Sequence, residues 1–408
     1  LVGSEMCIRD RIKIGKPHVK SDAQTATLSA NITIDGDCKE VWFKVDKKFE
    51  NYLCYERGDA YVIAVLNFAM RNHHDIVSEA PLSEDIYYNI DKYLVDAIAQ
   101  YNKDFYRPQI TAEVASDRLP CAGAVATGIS CGVDSLHALA NQTAMKFKKH
   151  NITHLTFNNV GSHGEGEHAE KLYQARLKRP RAFAKEYGFE FVASDSNLQN
   201  VVLQNHFKSH TYSSMFAVYC LQKLYSVYYY ASSGYKYHEF RLFDIPGSSC
   251  GSYEMLSLPL LSTCNLRVYS EGEGMSRMTK LKTVVKYAPS YKYLNVCLKD
   301  GDNCGKCEKC VRTLLGIDAL GALDNYAEVF DIDYYRKHKK WYLQQMLIQM
   351  AHNKHDYFEM YPYFKSEITL DMRIKVLPYT IENTIRKLVP RDSWLFNLLK
   401  KVKRILKS

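Results

Sequence analysis

Two groups of residues have the types and spacing to do chemistry. The first is Ser130-Cys131-Gly132-Val133-Asp134-Ser135, with a small and β-branched run at 124–129 before it and Leu136, Ala138 and Leu139 after it. That order reads as a strand, a tight loop and the start of an apolar helix. Such a corner turns several backbone N–H groups, those of Cys131 and Val133 among them, and the positive end of a helix dipole toward an anion. Ser130 and Ser135 can add hydroxyl donors, and Gly132 lets the backbone approach a phosphate closely. Asp134 would repel bare phosphate but could hold the magnesium that accompanies it. No Walker-type Gly-x-x-x-x-Gly-Lys-Ser/Thr is present, which disfavours a P-loop kinase or GTPase.

The second group is Cys297, Cys304, Cys307 and Cys310, spaced C-x6-C-x2-C-x2-C, with Gly301 and Gly305 to make the turns. Four thiols this close form a soft-ligand cage for tetrahedral zinc. An iron–sulfur cluster can use the same four thiolates. A zinc held by four protein ligands has no open position, so the metal is read as structural.

Other segments carry weaker signals. In Gly161-Ser162-His163-Gly164-Glu165, the glycines allow a loop over a ligand, and His163 or Glu165 could move a proton. The alternative is a polar surface loop. Arg277 and Lys280 lie three apart on one helical face and could hold a phosphate or a carboxylate. The alternative there is an exposed basic face. His73-His74 reads as a solvated turn. Near the end, Trp394, Leu395, Leu398, Leu399, Val402, Ile405 and Leu406 keep helical spacing among Lys400, Lys401, Lys403, Arg404 and Lys407. Such an end could lie on an anionic membrane or on RNA, but packing on its own domain or a partner subunit is the commoner use.

The elements that must position these residues follow from periodicity. Residues 26–45 alternate apolar and polar around Asp35-Gly36, a hairpin signal. Asp59 could cap a helix running to Met70, and Pro81 and Ser83 open another to about Ala99. Beyond Arg107-Pro108 and Leu119-Pro120 the pattern becomes strand and helix in alternation. It predicts strands at 152–160, 189–193 and 226–231, a helix at 167–187 kinked or restarted at Pro180, and another at 213–224. That alternation argues a parallel sheet covered on both faces, with ligands at the carboxyl ends of its strands. Residues 130–135, 158–168 and 232–235 should then line the site, Asn158 and Gly161 included. Residues 334–350 read as helical.

The totals are consistent with this. The chain has 408 residues, 46% hydrophobic and 24% charged, enough for two or three domains. The net charge of +9 suits a nucleotide or another anionic ligand and does not by itself argue for DNA. Twelve cysteines with no visible signal peptide suggest reduced thiols and a cytoplasmic home. Glu5-Met6-Cys7-Ile8-Arg9-Asp10-Arg11 reads as a translated sequencing-library adapter, so residues 1–11 are set apart and the chain proper is expected to start near Ile12.

The loop at 130–135 resembles the Ser-Gly-Gly-x-Asp-Ser signature of the N-type ATP pyrophosphatases, or PP-loop enzymes. It matches five of six positions, with Cys131 in place of the first glycine. Together with the four cysteines it is similar to the 7-cyano-7-deazaguanine synthase family over roughly residues 121–320. The resemblance implies ATP and magnesium at Ser130, Gly132, Asp134 and Ser135, and a structural zinc on Cys297, Cys304, Cys307 and Cys310. It implies adenylation of a substrate, a carboxylate or similar oxygen, with release of pyrophosphate, then attack by nitrogen. Arg277 and Lys280 would stabilise transition-state charge. Sulfur transfer to tRNA, with Cys131 as nucleophile, is the alternative within the superfamily. A nucleotide-binding module without turnover, in a defence or regulatory complex, is the alternative outside enzymes. The fold expected is an α/β/α sandwich with a parallel sheet, Rossmann-like and akin to the adenine nucleotide alpha hydrolases, at 119–290. An N-terminal α+β domain at 12–118 precedes it, a four-cysteine zinc knuckle at 291–330 follows, and 331–408 is a helical C-terminal region. The partners expected are ATP and a small-molecule acceptor, with a homodimer as a further option.

Overall fold

A computed structural model describes residues 11–101, 105–164, 166–232, 249–297 and 301–388. Most of the adapter-like stretch, Glu165, Tyr235 and the basic end from Trp394 to Lys407 lie outside the described residues. The chain forms two compact units, Leu1–Met275 and Ser276–Ser408.

The first unit is α/β around one eleven-stranded sheet. Its strands are β1 (Arg11–Ile14), β2 (His18–Ser21), β3 (Thr25–Ile34), β4 (Asp37–Asp46), β5 (Asp75–Ser78), β7 (Ile110–Thr111), β9 (Ala124–Gly128), β10 (His154–Asn159), β11 (Glu190–Ser196), β12 (Tyr225–Ala231) and β13 (Arg267–Glu271). A separate parallel pair joins β6 (Leu82–Ser83) to β8 (Val114–Ala115). The helices are α1 (Asp59–Asn72), α2 (Glu84–Asn89), α3 (Val95–Tyr101), α4 (Val133–Gln142), α5 (Gly166–Tyr187), α6 (Leu198–Val201), α7 (His206–Cys220) and α8 (Glu254–Leu260).

The order across the sheet is β13-β12-β9-β10-β11-β4-β3-β1-β5-β7, with β2 on β3. The five strands from β13 to β11 are mutually parallel. The N-terminal hairpin does not make its own sheet. Its strand β4 pairs antiparallel with β11, Val45 opposite Ser194, and so extends the parallel sheet. The side chain of Asn197 clamps this seam, accepting from the N–H of Trp42 at 2.8 Å and donating to the carbonyl of Glu40 at 2.8 Å. The hairpin turn is as its sequence predicts. Asp35 and Gly36 both take positive φ, 52° and 82°, the conformation a two-residue type I′ turn requires.

Several local expectations change. Asp59 is not a cap; Gly58 is the cap residue, and Asp59 begins α1 fully buried. Its carboxylate accepts from the N–H and hydroxyl of Ser83 at 2.8 and 2.6 Å and from Gln222 at 3.2 Å, so it ties three segments together. His74 is not in a solvated turn. It is buried against Phe68, and its Nε2 meets the Asp35 carboxylate at 2.8 Å. Pro180 does not restart α5, which runs unbroken because Tyr173, Leu177, Phe183 and Ala184 keep one buried face on the sheet. Helix α7 begins at His206, seven residues before the expected start, since Asn205 caps it by accepting from the N–H of Phe207 at 2.9 Å.

The second unit is helical: α9 (Arg277–Val284), α10 (Pro289–Tyr293), α11 (Glu308–Ala319), α12 (Ile332–Lys337), α13 (Lys339–Ala351), α14 (His355–Phe364) and α15 (Leu370–Leu388). The helix expected at 334–350 is split at His338, whose Nδ1 meets the carbonyl of Tyr334 at 2.8 Å. Among the described residues no helix is long and apolar enough to cross a membrane.

Candidate functional sites

The loop 130–135 leaves the carboxyl end of β9, the middle strand of the parallel five. From β9 the chain builds outward to β10 and β11 on one side, then returns to place β12 and β13 on the other. The strand order therefore reverses between β9 and β12. At such a reversal, connections leave to opposite faces and open a crevice at the carboxyl ends of the strands.

The loop is fixed at both ends. The N–H of Ile129 donates to the carbonyl of Thr156 on β10 at 2.9 Å. Ser135 Oγ donates to the carbonyl of Gly132 at 3.1 Å and lies 3.4 Å from both the N–H and the hydroxyl of Ser130. The N–H of Gly132 reaches Ser130 Oγ at 3.3 Å. Gly132 is the cap residue of α4 and makes no side-chain cap. Asp134 is half-buried and Ser130 exposed.

The demand for glycine sits one residue earlier than expected. Gly132 has φ −79° and ψ 172°, extended backbone open to any residue. Cys131 is the position in the left-handed region, with φ 59°. Its side chain is wholly buried, and burial pushes the thiol up to about 12, with only partial relief from Arg179. A buried neutral thiol is a poor nucleophile.

Beside the loop, Asn158 Oδ1 accepts from Ser194 Oγ at 2.8 Å, a bridge between β10 and β11. Gly161 has φ 113°, and a Cβ there would lie 2.5 Å from Gln199 Oε1. His163 is a packed ring rather than an exposed proton carrier. It is buried beside Phe157 and Tyr173, and its Nδ1 lies 3.1 Å from both Asn159 Oδ1 and Ser162 Oγ. Burial, helped by Arg176 and His206, holds it down to about 4, so it is neutral at pH 7.

Sequence reasoning missed a polar cluster at the same carboxyl edge. His210 Nδ1 meets Tyr230 OH at 2.9 Å and lies 3.9 Å from Glu254 Oε1. The buried Glu254 carboxylate also accepts from Ser232 Oγ and, at 3.4 Å, from Thr211 Oγ1. Burial lowers His210 to about 4. The one sequence signal was the four-residue spacing of His206 and His210, whose rings stand 5.8 Å apart.

The second site lies in the second unit. The sulfurs of Cys297, Cys304, Cys307 and Cys310 all fall within 4.8 Å of one another. A tetrahedron with Zn–S bonds of about 2.3 Å sets its sulfurs about 3.8 Å apart, so the cage fits a metal with slight contraction. The Cys304-Gly305-Lys306-Cys307 turn needs Gly305 at φ 67°, and the N–H of Cys307 donates to Cys304 Sγ at 3.3 Å. Cys307 caps α11, and Cys310 sits buried in its first turn. Asn303 holds the facing segment: its Oδ1 accepts from the N–H of Val296 at 2.8 Å, and its Nδ2 donates to the carbonyls of Leu294 and Val329. Burial raises the Cys304 thiol, but N–H groups from Lys306 and Cys307 and the neighbouring thiols outweigh it, bringing Cys304 to about 6. A thiol that ionises readily suits a metal, whereas burial and the neighbouring Cys307 push the Cys310 thiol well up.

Arg277 and Lys280 also belong to the second unit, on α9. Arg277 is half-buried and Lys280 almost fully buried, so they do not form an ordinary exposed basic face. Ser276 caps their helix, accepting from the N–H of Thr279 at 3.2 Å.

No protein-family model matches the chain, and neither a curated protein nor a solved structure matches it.

Proposed function

We propose that the chain is an ATP-dependent enzyme of the PP-loop type, which adenylates a small acceptor, releases pyrophosphate and lets a nitrogen nucleophile displace AMP. One observation carries this reading. The Ser130-Cys131-Gly132-Val133-Asp134-Ser135 loop joins a central parallel strand to a helix N-terminus at the strand-order reversal, and its first family-glycine position takes the left-handed backbone that glycine favours. In this reading the parallel part of the first unit is a Rossmann-like α/β/α layer fold of the adenine nucleotide hydrolase kind, with the N-terminal segment as an added α+β element.

Each residue then has a role. The N–H groups of Val133, Asp134 and Ser135 and the hydroxyl of Ser130 receive the pyrophosphate oxygens. Asp134 holds the magnesium that offsets their charge. The acceptor lies across the crevice, toward the His210–Tyr230–Glu254 cluster. The buried, un-ionised Cys131 supports the cradle role and speaks against sulfur transfer through this thiol. Zinc on the four cysteines supplies structure, since four thiolates leave no open coordination position.

The test is ATP–pyrophosphate exchange and AMP release with a panel of carboxylic acids, comparing wild type with Asp134→Ala. Exchange in wild type that is lost in the variant supports adenylation. ATP binding with no exchange for any acid would favour a nucleotide-binding module.

A further inference from the structure

Among the described residues, helix α15 (Leu370–Leu388) has two apolar faces, one buried and one exposed. Met372 and Val376, with Ile368 just before the helix, are buried within the second unit. On the opposite side Leu370, Ile374, Leu377 and Ile381 are 72%, 59%, 55% and 52% exposed. Their spacing of four, three and four residues keeps all four within one narrow stripe along the helix. Four large aliphatic side chains aligned toward solvent are unusual on a chain whose other exposed hydrophobics are mostly scattered.

Charge says what this stripe faces. Residues 365–408 carry eleven Lys and Arg against four Asp and Glu, a net +7, of which +5 falls at 389–408, outside the described residues. Exposed Arg373 flanks the stripe, held by a bond from its guanidinium to Tyr361 OH at 2.8 Å, and Lys375 is exposed a half-turn away. An aliphatic stripe within a concentrated cationic segment matches a bilayer with anionic headgroups: the apolar side chains enter the acyl boundary while Lys and Arg stay at headgroup level. A second copy of this chain would bring two such cationic segments together, which charge opposes. RNA would use aromatic stacking platforms rather than Leu and Ile.

We infer that the Leu370–Ile374–Leu377–Ile381 stripe of α15 is a docking surface for anionic membrane lipid, holding the protein at the bilayer surface without crossing it. This inference is independent of the activity proposed above.

The test is co-sedimentation of the full chain with vesicles of phosphatidylcholine alone and of about three parts phosphatidylcholine to one part phosphatidylserine. Binding is expected to the mixed vesicles only, and to weaken at roughly 0.5 M salt as charges are screened. Ile374→Glu with Leu377→Glu should lower it at least about tenfold. Because both positions are solvent-facing, circular dichroism should not change, and Ile374→Ser with Leu377→Ser serves as a milder second pair. Equal binding of wild type and both pairs, or no preference for phosphatidylserine, would overturn the inference. So would a dimer in analytical ultracentrifugation that the same changes dissociate, or binding of polyuridylate RNA that they abolish.

Discussion

The loop 130–135 and the four-cysteine cage achieve order by opposite means. The loop is held by elements far apart in sequence: β9 lies between β10 and β12, and Ile129 bonds to Thr156. Its chemistry depends on where the sheet puts it. The cage draws its four sulfurs from fourteen consecutive residues, with bonds from Asn303 to Leu294 and Val329 and from Tyr342 OH to the Gly305 carbonyl around it, and the four sulfurs could hold a metal such as zinc. The loop should therefore keep its order when its ligand is lost, and the turn of the cage should not.

The largest effect expected separates the two. Chelation of zinc, or Cys304→Ser, should loosen the turn at 304–310, where thiolate–metal bonds would supply the order, while buried Leu294, Val311, Leu314 and Leu315 keep the flanking segment and the rest of α11 packed. About one zinc per chain by elemental analysis, and loss of hydrogen-exchange protection confined to the second unit after chelation, would agree. Iron with a visible charge-transfer band would replace zinc in this account, and unchanged protection would remove the metal from it.

Asp134→Ala probes the other side of the contrast. It should lower AMP release by about a hundredfold or more, since the charge of magnesium–pyrophosphate would lose its protein ligand, while Tm stays within a few degrees. A large fall in Tm would mean that Asp134 holds the fold, and the comparison with the cage would fail.

The cage and the hairpin turn were legible because each is local: Cys spacing and Asp35-Gly36 carry their geometry within a few residues. The helix start at His206 was not, because an Asn cap before a His-Phe-Lys sequence has no apolar period to announce it. The pairing of β4 with β11 was hidden for a different reason. An edge strand shows which face is apolar but not which other strand will cover its free hydrogen-bonding edge. The His210–Tyr230–Glu254 cluster joins residues up to 44 positions apart, so only the sheet reveals it.

Gly161 gives a smaller effect at the rim of the loop. Gly161→Ala must place a Cβ 2.5 Å from Gln199 Oε1 at φ 113°. A destabilisation of about 2 kcal/mol is expected from the backbone alone, with part of the clash relieved by movement of Gln199. Gln199→Ala together with Gly161→Ala should recover only the clash. Full recovery would show that the backbone conformation costs nothing.

The smallest effect tests what Cys131 is for. A non-glycine residue in the left-handed region costs roughly 1–2 kcal/mol. Cys131→Gly removes that cost but loses a buried side chain, about 1 kcal/mol, and adds roughly 0.5–1 kcal/mol of unfolded-state entropy. The net change should be close to zero. Cys131→Ala keeps the strain and still loses the sulfur, so it should be the less stable of the two. That inverts the usual order of Ala over Gly, and urea melts of both variants can read it. Activity should follow the same logic: the thiol is buried and pushed up to about 12, so Cys131→Gly and Cys131→Ser should still release AMP. If both variants bind ATP yet release none, the thiol is a reagent. If Cys131→Ala is clearly the more stable, the left-handed backbone at this position carries no strain, and the match between this loop and a glycine-bearing pyrophosphate cradle loses its physical basis.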